Sequence, residues 1–302
     1  MTELSHIFFT AVSPPTELTP AKLSARSAPR NARGANSAVL QRNAEANNFS
    51  PAAPLIHFVL GASGIDETAY QPKVLQRRLG ACLRTLGAKT EAAAITVLQN
   101  DPTRVPEVLS SLLIGVSSFF RDPEVFVFLQ NRVFPDMIKE GGLRVCSYGC
   151  SAGQELYSAA IILDELGALP SSQLLGVDCR PGAVAQARGG CFDLSELEGV
   201  GPARRARYFE FHSGRPLIAP RLREHLRWEL VQAHRPEPGV WDVIFFRNLS
   251  IYLTPVASKD LWRRLEQQLK PGGVMVAGKA ERPPAELGLV REFKCIYRKP
   301  NR

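Results

Sequence analysis

The chain has no Cys-x-x-Cys pair, and none of its six cysteines (Cys82, Cys146, Cys150, Cys179, Cys191 and Cys295) has a histidine at ligand spacing. That pattern argues against a zinc site and a disulfide framework, so no metal is expected, and the thiols read as reduced core side chains of a cytoplasmic protein. No apolar run is long enough to span a membrane, and the short run from Ile7 to Val12 lacks a basic lead-in, so neither membrane insertion nor a signal peptide is expected. Also missing are a Gly-x-x-x-x-Gly-Lys-Ser/Thr phosphate loop and any aromatic stacking module for nucleic acid. Positive charge is not scarce. The net charge of +8 allows an acidic partner, whether nucleic acid, an anionic surface or an acidic protein, and charge alone does not choose among them.

What is present divides the chain. With 302 residues, 45% of them hydrophobic, the chain can bury one large core or two modest ones, and two domains are expected. Residues 1–52 scatter Ser, Pro, Asn, Ala and Arg without apolar periodicity and read as a disordered basic tail. Over 53–115 the pattern becomes helical. Leu75, Leu79, Cys82, Leu83 and Leu86 fall on one face of a predicted helix, with Lys73, Arg77 and Arg84 opposite. That basic face is either a solvated surface or a dock for an acidic helix. Further helices are predicted over Thr90–Leu98 and Val105–Leu113, with Asp101-Pro102 as the break.

From Leu143 strands and helices alternate, which predicts an α/β fold with a mostly parallel, doubly wound sheet. Candidate strands are Arg144–Ser147, Leu174–Val177, Trp241–Phe246 and Val274–Ala277, the last introduced by a tight Pro271-Gly272-Gly273 turn. Between 191 and 229 the rhythm lapses, suggesting an inserted subdomain rather than a sheet strand. The segment Leu143-Arg-Val-Cys-Ser-Tyr-Gly-Cys-Ser-Ala-Gly-Gln-Glu-Leu-Tyr157 runs from strand through a small-residue loop into a helix. Gly149 and Gly153 would let the backbone approach a ligand closely. Glu155 puts a carboxylate where a pyrophosphate would sit, so the loop is either a cradle for a ligand with amino and hydroxyl groups or an ordinary α/β connection. Leu174-Leu-Gly-Val-Asp178 ends in an acid at roughly the 20-residue distance from the glycines at which dinucleotide folds place a ribose acceptor. Asp178 can equally cap the next helix at Pro181, and the two roles are compatible.

Three more segments join this one: Val116-Ser-Ser-Phe-Phe-Arg-Asp122, Trp241-Asp-Val-Ile-Phe-Phe-Arg-Asn-Leu-Ser-Ile-Tyr252 and Lys270-Pro-Gly-Gly-Val-Met-Val-Ala-Gly278. With Gly149–Ser158 they resemble, in order and spacing, the chemotaxis receptor glutamate methyltransferases, the CheR type. That family pairs a helical amino-terminal domain and a Thr-x-Phe-Phe-Arg linker with a Rossmann-like catalytic domain. Its signatures resemble Cys-Ser-Thr-Gly-Glu-Glu-Pro-Tyr-Ser and Phe-Cys-Arg-Asn-Val-x-Ile-Tyr-Phe. The resemblance covers about Tyr70 to the end. It implies a Rossmann-like class I methyltransferase sheet over 116–302 with the small insert at about 191–229, preceded by a helical receptor-docking domain over 53–115. The implied cofactor is S-adenosylmethionine, leaving as S-adenosylhomocysteine, and the implied reaction is methyl transfer to glutamate carboxylates of chemoreceptors.

Position by position, the resemblance places Arg121 and Tyr252 near the methyl-transfer centre. It gives Ser117, Arg121, Gly149, Glu155, Asp178, Gln232, Ala233, Arg247 and Asn248 to the cofactor, with Glu155 on the methionine amino group and Asp178 on the ribose. Lys73, Arg77 and Arg84 become contacts to an acidic helical receptor region, and a monomer without nucleic-acid partners is implied. The chain departs from the family pattern in several places. Ser117 stands for threonine, Phe246 for cysteine, Leu249-Ser250 for an apolar pair, and Gln154 and Leu156 flank the retained Glu155. Gln232-Ala233 replaces the usual Asn-Leu pair at the adenine. A cofactor-binding signalling or scaffold protein without methyl transfer is the alternative reading. A small-molecule or nucleic-acid methyltransferase is disfavoured, because no Asn/Asp-Pro-Pro-Tyr/Phe element is present.

Overall fold

The computed structural model describes residues 53–301, apart from 116, 139–140 and 232–239. The expected basic tail, and with it Gln232 and Ala233, therefore lies outside the described residues. Five helices come first: α1 (Pro54–Ala62), α2 (Pro72–Gln76), α3 (Leu79–Leu86), α4 (Glu91–Asn100) and α5 (Val105–Leu112). Each buries apolar side chains, from Leu75 alone on α2 to Leu55, Ile56, Val59 and Leu60 on α1 and Val105, Val108, Leu109 and Leu112 on α5. Thr90 Oγ1 caps α4 by accepting from Ala93 N–H at 3.2 Å, and the Asp101 carboxylate accepts from Thr103 N–H, also at 3.2 Å, where Pro102 stops the helix.

The single basic helix expected through Leu75–Leu86 is in fact two. The chain turns at Arg77-Arg78, and Arg78 points inward, donating from Nε and Nη2 to Ser111 O at 3.2 and 3.1 Å. A long cationic side chain that ties α5 to this turn leaves no periodicity signal in the sequence. Lys73, Arg77 and Arg84 remain exposed.

A linker then leads to α6 (Pro123–Phe128), which runs through one π-helical turn into α7 (Phe134–Met137). The α/β part follows in the order β1 (Arg144–Tyr148), α8 (Gln154–Glu165), β2 (Gln173–Asp178), α9 (Pro181–Gly189), α10 (Pro202–Tyr208), β3 (Phe209–His212), β4 (Arg215–Ile218), α11 (Pro220–Arg223), β5 (Leu226–Leu230), β6 (Trp241–Phe246), α12 (Pro255–Gln268), β7 (Leu269–Ala277), β8 (Val290–Phe293) and β9 (Ile296–Arg298). Seven strands make one sheet in the order β5-β2-β1-β6-β7-β9-β8, with β5, β2, β1, β6 and β7 mutually parallel and β9 antiparallel to both its neighbours. Every residue of Val243–Phe246 and Val274–Ala277 is buried, as expected of central strands covered on both faces.

Two sequence expectations need correction here. The lapse over 191–229 holds a β3–β4 hairpin and short helices, but its end is a sheet strand, since Leu226–Leu230 pairs parallel with Leu174–Asp178. An edge strand buries one face only, so the alternation of Leu226 and Trp228 with Arg227 and Glu229 resembles a polar loop when read for long apolar runs. Pro271-Gly272-Gly273 is not a turn ahead of β7 either. Trp241 pairs with Leu269 and Val243 with Val274, so the three residues form an irregular bulge inside the strand.

Strand order reverses between β1, which leads outward to β2 and β5, and its other neighbour β6. Open α/β sheets bind ligands in the crevice beyond the carboxyl ends of the strands at such a switch point. Helix α5 packs on α9, and the linker after α5 passes over this end of the sheet.

Candidate active site

Beyond the carboxyl ends of β1 and β6 lies a cavity of about 130 Å³ lined by Ile114, Gly115, Ser117, Arg121, Gly149, Cys150, Ser151, Glu155, Arg247, Asn248, Ile251 and Tyr252. Ser117, Arg121, Gly149, Glu155, Arg247, Asn248 and Tyr252, singled out from the sequence, thus share one hollow. Asp178 stands behind its wall, and Gln232 and Ala233 are outside the described residues.

One wall is the turn after β1. Gly149 N–H and Cys150 N–H donate to Val177 O at 2.8 and 3.1 Å, which ties the turn to the end of β2. Gly149 has φ +67°, a backbone state that disfavours a side chain, and it lines the cavity as expected. Gly153 does something else. A Cβ there would lie 2.5 Å from Trp228 Cη2 and 3.1 Å from Ala187 Cβ, so this glycine admits the edge-strand indole rather than a ligand. With φ +90° as well, Gly153→Ala is expected to cost about 2 kcal/mol. A lowered urea midpoint checks this, and an unchanged midpoint contradicts the packing role.

The opposite wall comes from the end of β6. Arg247 is buried and bridges three groups: Nη1 donates to Glu155 Oε2 and to Arg121 O, each at 3.1 Å, and Nη2 pairs with Asp122. Ser147 Oγ donates to Glu155 Oε1 at 3.2 Å. Burial pushes the Glu155 carboxyl above its ordinary pKa, against the pull of Arg247 and the Ser147 hydroxyl. Phe120 and Asp122 both adopt positive φ, 52° and 59°, on either side of Arg121. Phe119 packs edge-on against Phe192 and Phe209, and Phe120 N–H donates to Ser158 Oγ at 2.9 Å. The strained linker is therefore fixed from both sides, and Arg121 is presented to the cavity from a rigid base.

The linker is also pinned across the cavity. Ser151 Oγ donates to Gly115 O at 2.9 Å, and the Tyr252 hydroxyl donates to Ile114 O at 3.2 Å. Asn248 has φ +57°, and the turn it starts is held by Glu281. That buried carboxylate accepts from the N–H groups of Asn248, Leu249, Ser250 and Gly278 at 2.7–2.9 Å and from Ser250 Oγ at 2.8 Å. Sequence reasoning missed Glu281, Asp122 and Arg180. The first two act through backbone groups and an internal ion pair: Asp122 closes the quoted Val116–Asp122 segment without a role being read from it, and Glu281 lies outside every quoted segment; Arg180 had only its place beside Asp178 as a signal.

The arrangement suits a small zwitterion. An arginine and a glutamate side by side offer a carboxylate one partner and an ammonium the other, and an ammonium would relieve the cost of keeping Glu155 charged in a buried place. Arg247 Nε is itself buried with no hydrogen-bond partner among the described residues.

Residues 115–296 match the family model "CheR methyltransferase, SAM binding domain". The chain belongs to the CheR methyltransferase family. Among its curated relatives, a probable chemotaxis protein methyltransferase of Rhizobium etli is 33% identical, over 74% of this chain and 89% of that one. Chemotaxis protein methyltransferase 1 of Pseudomonas aeruginosa is 29% identical, over 74% and 87%, and the chemotaxis protein methyltransferase of Salmonella typhimurium is 29% identical, over 76% and 82%. The protein is a methyltransferase, and S-adenosylmethionine is its cofactor. The methionine end of that cofactor is a zwitterion, with one ammonium and one carboxylate. Among the described residues no helix is long and apolar enough to cross a membrane, and no cluster of side chains is arranged to hold a metal ion.

Proposed function

We propose that this CheR-family enzyme methylates glutamate side chains of chemoreceptor proteins, forming methyl esters. One observation carries the reading: Glu155, which the family resemblance gives to the methionine amino group, and Arg247 and Asn248, which it gives to the cofactor pocket, share a single hollow with Arg121 and Tyr252. When bound, S-adenosylmethionine supplies a methyl group on a sulfonium, which a glutamate carboxylate accepts with no proton to move, because a side chain with pKa about 4.3 is already an anion at neutral pH. No general base is needed. The protein's work is alignment and exclusion of water. In this reading Glu155 and Arg247 hold the amino-acid end, Ser117, Gly149 and Asn248 line the cofactor's path, and Asp178 receives the ribose. Arg121 orients the incoming carboxylate, since a planar guanidinium matches carboxylate geometry. Tyr252 faces the cationic sulfur with its ring or hydroxyl.

The test is transfer of radiolabelled methyl from S-adenosylmethionine to the cytoplasmic fragment of a chemoreceptor. Label released by mild alkali as methanol is expected. Alkali-stable label, or S-adenosylhomocysteine binding without any labelled receptor, contradicts the reading, the latter in favour of a scaffold role.

The helical part, residues 53–115, supports a docking role for an acidic receptor helix, because Lys73, Arg77 and Arg84 lie exposed on α2, the following turn and α3. Reversing all three to glutamate is expected to weaken receptor-fragment binding about tenfold or more at low salt, and less at high salt. S-adenosylhomocysteine affinity should stay within about twofold, as expected for distant, independent sites. Equal losses in both titrations contradict the docking assignment.

A further inference from the structure

We infer that Arg180 sets the enzyme's affinity for its cofactor by competing with the ribose for Asp178. The inference rests on the reading above in which Asp178 is the ribose acid. Asp178 ends β2 and is 3% exposed. Its carboxylate accepts four hydrogen bonds: from Ser151 N–H at 2.8 Å, Arg180 N–H at 3.0 Å, Arg180 Nε at 2.9 Å and Arg180 Nη2 at 3.1 Å. A carboxylate offers about four lone-pair sites, so these bonds fill it. The two backbone donors belong to the turns that close β1 and open α9. The two side-chain donors are the pair that a diol would have to replace.

The position of the guanidinium makes the competition steric as well as electrostatic. Arg180 is itself 8% exposed, wedged between Asp178 and the linker. At Gly115, a lining residue of the cavity, an added Cβ would fall 2.3 Å from Arg180 Nη2. The same glycine's carbonyl accepts from Ser151 Oγ, so the linker lies directly on the guanidinium. Neither Asp178 nor Arg180 lines the cavity; Gly115 and Ser151 of its wall cover the pair, Gly115 against the guanidinium and Ser151 N–H on the carboxylate. Ribose hydroxyls reach the acid only when the Arg180 side chain leaves. A bidentate charged pair is then broken each time the cofactor binds, and that cost is subtracted from the binding free energy.

Calorimetric titration of S-adenosylhomocysteine into the full-length protein tests this with four proteins: wild type, Arg180→Ala, Arg180→Lys and Asp178→Ala. Removing the competitor is expected to tighten binding about tenfold in Arg180→Ala. Arg180→Lys, which keeps the charge but loses the fork, should gain about threefold. Asp178→Ala should bind about tenfold more weakly or worse. If Asp178→Ala retains wild-type affinity, the ribose reading fails and the inference with it. If Asp178→Ala weakens binding while both Arg180 variants bind equally or more weakly than wild type, Arg180 supports the acid instead of competing for it, and only the inference falls. A purely structural Arg180 would lower the thermal midpoint of the unliganded protein without tightening binding. Should Arg180→Ala not fold, Arg180→Lys decides alone.

Discussion

Arg121→Ala is expected to lower kcat for receptor methylation about 100-fold, the size of effect seen when one preorganised charged donor is removed from an active site. S-adenosylhomocysteine affinity should change by no more than about threefold. The expectation follows from how the arginine is held. Its backbone carbonyl accepts from Arg247, and its neighbours Phe120 and Asp122 are locked in positive φ. A guanidinium carried on such a base can orient a carboxylate without reorganising, which is worth more than its charge alone. Arg121→Lys should recover little, because a point charge does not reproduce the two-pronged fit. If the alanine variant loses cofactor affinity by the same factor as kcat, Arg121 serves the cofactor and not the incoming side chain.

Glu155→Ala is the second large effect, an expected loss of about 30-fold to 100-fold in S-adenosylhomocysteine affinity by calorimetry. The carboxylate is half-buried, it accepts from Ser147 and Arg247, and its partial burial works against its charge. A ligand ammonium would find there an acceptor that little water competes for. The deletion also removes one of the two acids that balance Arg247, leaving Asp122. Glu155→Gln keeps the shape and tests charge alone, and most of the loss should already appear in it. Affinity within about twofold of wild type in both variants would remove Glu155 from the cofactor site.

The parts of this architecture that rest on periodicity were readable in the chain. Trp241–Phe246 and the strands ending at Tyr148 and Asp178 are short apolar runs bounded by small or polar residues, and they form where such runs should. The motif residues around Gly149, Glu155 and Arg247 likewise converge, because Gly149 and Arg247 sit just past parallel strands, which end on the same side, and Glu155 opens the helix that follows the first of them. What stayed hidden was set by tertiary contacts. Gly153 is small because Trp228, 75 positions away in the chain by their numbers, needs the space, and no local pattern encodes that. Arg78 breaks a helix to reach Ser111 O, although its neighbours have helical spacing. Glu281 looks like any surface acid after a strand until its backbone partners are known. Arg180 reads as an ordinary residue before a helix-starting proline, yet it fills the acid beside it.

The central claim is that one hollow at the switch point of the sheet holds the methyl donor within reach of Arg121. A crystal structure of the protein with S-adenosylhomocysteine tests it most directly. The account predicts the homocysteine amino group at Glu155, its carboxylate toward Arg247, and the sulfur facing Arg121 and Tyr252. Ligand density on any other surface, or none at saturating concentration with the hollow unobstructed, would contradict it.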